Sequence, residues 1–67
     1  MTLKEMIIRC NKLRGNKKVR DQLLDILLDL DNPLVSLTCE GRKYIRARAY
    51  LIQDEDPELA EALQVSF

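Results

Sequence analysis

The chain has 67 residues, of which 46% are hydrophobic and 33% charged, with two prolines, two glycines, two cysteines and no histidine. That composition predicts one ordered domain and excludes intrinsic disorder, and a chain this short buries only about 60% of the surface its unfolded form exposes, so an association interface is the natural supplement to its core. Without histidine the usual general base and the commonest metal ligand are missing, and two cysteines alone do not make a zinc site.

The net charge is zero, but the charges come in blocks: +6 over residues 1–20, −4 over 21–32, +3 over 40–48 and −5 over 54–67. Such alternation serves intramolecular pairing, head-to-tail self-association, or a basic face offered to an anionic partner. No apolar run approaches the roughly 18 residues that span a bilayer, and the N-terminus lacks the apolar run and cleavage site of a signal peptide. A cytoplasmic location is expected. Cys10 and Cys39 both fall on apolar faces of their expected elements, which predicts two reduced core residues rather than a bridge or a nucleophile.

Thr2 followed by Glu5 has the spacing of a capping box, and Leu3, Met6, Ile7, Cys10 and Leu13 then recur at helical intervals. An amphipathic helix over residues 3–14 is expected, with Lys4, Ile8, Arg9 and Lys12 on its outer face. Gly15 suits the position just past that helix, and Asn16 suits the N-cap of the next. Lys17 and Lys18 then sit against the positive end of the second helix, a mild electrostatic cost.

The second helix, expected over 17–31, contains the densest apolar stretch, Val19 to Leu30. Val19, Leu23, Ile26, Leu27 and Leu30 form one stripe, and Leu24 and Leu28 form a second beside it. Asp21, Asp25 and Asp29 make a carboxylate ridge on the remaining side. That ridge contradicts a DNA-reading helix-turn-helix, because it would be held against phosphate.

Asn32-Pro33 ends the second helix. Val35, Leu37 and Cys39 then alternate with Ser36 and Thr38, which predicts a strand over 34–39. Gly41 marks a turn, and a second strand is expected over 44–52, with Ile45, Ala47, Ala49 and Leu51 inward and Tyr44, Arg46, Arg48 and Tyr50 outward. A helix over 42–53 is the rival reading, favoured by the alanines and arginines, but it sets Arg48 in the middle of the apolar face. The strand reading separates the two classes and is preferred. Asp56 and Pro57 are the N-cap and first residue of a short C-terminal helix over 57–65, with Leu59 and Leu63 on its apolar side.

The expected fold is therefore a single α+β domain over residues 1–67: a helical hairpin packed on a two-stranded antiparallel β-hairpin and closed by a short helix. No catalytic residue, cofactor or metal site is expected, which predicts a non-enzymatic accessory or regulatory protein. Size and lack of chemistry alone suggest the kind encoded by phages or mobile elements. The first expected mode of action is binding to a protein partner, or to a second copy as a homodimer, through Ile8, Leu24 and Leu28. The alternative is nucleic-acid binding by a basic hairpin face of Arg42, Lys43, Tyr44, Arg46, Arg48 and Tyr50, whose rings stack on bases while the guanidinium groups meet phosphate.

Overall fold

A computed structural model describes residues 1–67, and it contains four helices and no strand: α1 (Leu3–Asn11), α2 (Lys17–Leu30), α3 (Cys39–Leu51) and α4 (Pro57–Ser66). Each helix starts at a side-chain cap. Thr2, Asn16, Thr38 and Asp56 accept the N–H of Glu5, Val19, Gly41 and Leu59 at 3.2, 3.2, 3.0 and 3.1 Å respectively. These bonds occupy backbone donors that have no partner inside a helix, and each is worth about 0.5–2 kcal/mol.

The α+β expectation is overturned at residues 34–52. Residues 34–38 are a turn and an irregular lead-in, and the expected hairpin turn is the first turn of α3. Thr38 caps that helix, and Gly41 stands at its third position because a Cβ there would lie 2.6 Å from Leu37 Cδ1. The glycine marks a close approach of Leu37 to the helix, not a hairpin. Ile45, Ala49 and Ile52 are buried at helical spacing, while Ala47 and Leu51, the other members of the expected inner strand face, are exposed.

The objection to a helix here was Arg48, and the structure removes it. The Arg48 guanidinium lies 3.3 Å from the centroid of the Tyr44 ring. Its Nε donates to Gln22 Oε1 on α2 at 2.9 Å, and its Nη1 donates to the Tyr44 carbonyl at 3.3 Å. The stem thus lies along the edge of the buried face while the charged head finds an aromatic ring and two oxygens.

The helices form a closed ring in which the backbones of α1 and α3 each approach those of α2 and α4, while the diagonal pairs meet only through the shared core. Neighbours run antiparallel: Arg48, late in α3, meets Gln22, early in α2, and Arg9, late in α1, meets Asp56 and Glu58 at the start of α4. Short connections between consecutive helices suit this up-and-down order. The core is Met6, Cys10, Leu13, Val19, Leu23, Leu27, Ile45, Ala49, Ile52, Leu59, Ala60 and Leu63. Burial of each large aliphatic side chain contributes about 1.5–3 kcal/mol. No polar or charged side chain is buried with them.

One end of the ring is clasped. The Glu55 carboxylate, in the α3–α4 turn, accepts the N–H groups of Arg14 and Gly15, in the α1–α2 turn, each at 2.8 Å. Gly15 has no positive φ, so its role is not the left-handed helix stop that its position suggested. A Cβ there would stand 2.8 Å from Glu55 Oε1, and glycine leaves room for the carboxylate.

Candidate partner-binding face

The outer side of α2 is built by its own spacing. The ring buries Val19, Leu23 and Leu27. Leu24 and Leu28 stand one turn apart beside that stripe: Leu24 is half-buried and packs against the edge of the core, and Leu28 is 56% exposed. Together with Asp21, Gln22, Asp25 and Tyr44 they line a shallow open cleft between α2 and α3. A second cleft continues along the same two helices past Asp25, Ile26 and Asp29 to Thr38, Glu40 and Gly41, sharing Gln22, Asp25 and Tyr44 with the first. From Asp21 to Asp29 the lined stretch of α2 runs about 12 Å at a rise of 1.5 Å per residue.

The charge of this stretch is one-sided. Asp21, Asp25, Asp29 and Glu40 line the two clefts, and no lysine or arginine does. Of the four carboxylates only Asp21 has an ion-pair partner, Arg20 at 2.9 Å. Arg48 stands behind the wall, committed to Tyr44 and Gln22. The face therefore offers an apolar pair, one aromatic ring and three uncompensated carboxylates.

The other residues expected to act divide as the helix dictates. Ile8 is 49% exposed on α1 but lines neither cleft, so it does not join Leu24 and Leu28 in a single concavity. The six-residue basic stripe of the expected hairpin does not exist, because on α3 its members point to different sides. Tyr44 and Arg48 turn toward α2. Arg42, Lys43, Arg46 and Tyr50 are exposed on α3 away from that cleft, and Arg46 reaches α4, where its Nε donates to Gln64 Oε1 at 3.4 Å and its carbonyl accepts from Gln64 Nε2 at 2.8 Å. The extended strand face that was to carry Tyr44 and Tyr50 together is therefore absent.

The cysteines also differ from expectation. Cys10 is fully buried, its thiol donating to the Arg20 carbonyl at 3.7 Å, and burial pushes its pKa up to about 11. Cys39, expected in the core, is exposed at the first turn of α3, since the strand face that was to bury it is absent.

Gln22 and Glu55 were not among the expected functional residues. Only the packing of α3 shows that the Gln22 amide anchors Arg48. Glu55 belongs to the acidic block of residues 54–67, and its reach across to Arg14 and Gly15 has no local sequence pattern. No group of three or more Asp, Glu, Cys or His side chains is placed to hold a metal ion. No helix is long and apolar enough to cross a membrane. In comparisons with known proteins, no family model matches the chain, no curated protein matches it, and no solved structure matches it.

Proposed function

We propose that this chain is a small non-enzymatic accessory or regulatory module that binds a protein through the outer face of α2. The observation that carries the reading is the pairing of Leu24 and Leu28 with the unpaired carboxylates of Asp25, Asp29 and Glu40 along the clefts. An exposed leucine alone is ordinary. Exposed leucines flanked by carboxylates of one sign make a surface with a chemical preference, and it selects an amphipathic, cationic segment. Asp21, Asp25 and Asp29 recur every fourth residue, which matches cations one turn apart on a partner helix.

The test is calorimetric titration of the protein with a synthetic amphipathic helix bearing lysines one turn apart beside a row of leucines. Binding should weaken with salt, and both Leu28→Ser and Asp25→Lys should weaken it by about tenfold or more. Both positions are exposed, so circular dichroism should show the fold intact in each variant. Equal affinity for a charge-reversed peptide with glutamates in place of the lysines would overturn the reading.

A further inference from the structure

The same chain carries a surface complementary to that face. On α3, Arg42 and Arg46 stand one turn apart, as Asp25 and Asp29 do on α2, and Lys43 lies beside them; none of the three cations forms an ion pair. Tyr50, one turn beyond Arg46 on the same side of the helix, is 66% exposed. One helix thus shows cations at the spacing of one turn alongside the Tyr50 ring, and another shows carboxylates at the same spacing alongside Leu24 and Leu28. The charges of the whole chain cancel, so two copies approach without net repulsion.

We infer that the occupant of the α2 face is the α3 face of a second copy. Asp25 and Asp29 of one molecule meet Arg42 and Arg46 of the next, and Leu24 and Leu28 meet the Tyr50 ring. The inference rests on the reading of α2 as a binding face and names its partner. The two surfaces are different patches, since the acidic one lies along the α2–α3 clefts and the basic one lies toward α4, where Arg46 meets Gln64. The contact is therefore heterologous, and each added copy leaves one face of each kind free. Association grows with concentration until the chain of copies closes or its ends are capped.

The test is sedimentation velocity of the full chain with charge-reversed pairs. The wild type should sediment faster as concentration rises, and less so at high salt. Asp25→Lys with Asp29→Lys, and separately Arg42→Glu with Arg46→Glu, should each weaken association by about tenfold or more. An equimolar mixture of the two variants restores opposite charges across every contact and should recover association. Lys17→Glu with Lys18→Glu shifts the net charge as far as the Arg42 and Arg46 pair but touches neither face, and it should associate as the wild type does.

A wild-type chain that stays monomeric into the millimolar range, variants that associate unchanged, or a mixture that fails to recover would each overturn the inference. A monomeric chain that still takes the lysine–leucine peptide in a Leu28-dependent way would remove self-association and leave the α2 face a binding face. Failure of both assays would remove the two together.

Discussion

Arg9 on α1 holds Asp56, the N-cap of α4, in a two-pronged contact: Nε donates to Oδ2 at 3.0 Å and Nη2 to Oδ1 at 2.7 Å, while Oδ1 also accepts the Leu59 N–H at 3.1 Å. The fork fixes the carboxylate in the orientation that caps the helix, so a side chain of α1 sets where α4 begins. Glu58 takes the remaining prong at 2.9 Å. The hydrogen bonds to Asp56 and then Glu58 raise the Arg9 pKa above its ordinary value, so this cation persists throughout the working range of pH. Asp56→Ala should cost about 1–2 kcal/mol in denaturant unfolding through the lost cap. Asp56→Asn should recover part of that loss, since asparagine caps as well as aspartate but lacks the charge. In a double-mutant cycle with Arg9→Ala, the two losses should fall short of additivity.

Gly15→Ala should destabilise the protein although glycine-to-alanine changes in permissive loops usually stabilise by about 0.4–1 kcal/mol. The added methyl stands 2.8 Å from Glu55 Oε1 and displaces the carboxylate from the Arg14 and Gly15 amides. The cost is on the order of 1–2 kcal/mol, the range for hydrogen bonds to a charged group in a partly exposed setting. In a Glu55→Ala background the same substitution should cost nothing or stabilise. An equal cost in both backgrounds would show that Glu55 is not the cause.

The two thiols should separate cleanly. In the folded protein Ellman's reagent should titrate one thiol per chain quickly, Cys39, with Cys10 reacting only on unfolding. Burial raises the Cys10 pKa from its ordinary 9.0 to about 11, so the folded chain keeps this proton at a pH where the unfolded chain has lost it. Below pH 9 both states hold the proton and the thiol leaves stability unchanged. Between about 9 and 11 the unfolded state gains by ionising, and stability falls by about 2–3 kcal/mol in all. Cys10→Ala should remove that alkaline decline while lowering stability at neutral pH through the cavity it leaves.

Ala47→Pro distinguishes the two conformations of residues 39–51 directly. In the interior of α3 it removes a helix hydrogen bond and clashes with the preceding turn, at a cost of about 3 kcal/mol or more. The far-ultraviolet spectrum of the wild type should be that of a helical protein with no sheet.

Much of this fold is legible because its starts are local. Thr2, Asn16 and the Asp56-Pro57 pair stand in the sequence as caps, and each cap accepts the N–H three residues on. Thr38 has the same relation to Gly41, yet the glycine reads as a turn because its reason, the approach of Leu37, is a packing contact. Residues 45–51 alternate apolar and polar, a pattern that fits both periods. Arg48 decides between them, and what decides Arg48 is Gln22 on another helix. Leu24 and Leu28 were legible as surplus to one core stripe, since α2 has more apolar surface than a single face holds. That Tyr44 and Glu40 would complete their surroundings was not, because it depends on α3 being helical. The basic residues of α3 were visible as a charge block, but their division between two sides follows only from the helix.

The central claim is that the outer face of α2 is where this protein meets its partner, and nitrogen-edited NMR with the lysine–leucine peptide tests it most directly. The account predicts amide shifts gathered over Asp21 to Asp29 and around Glu40 and Tyr44, lost in Leu28→Ser. Shifts gathered instead in the α1–α2 turn or along α4, with Asp21 to Asp29 unmoved, would contradict it.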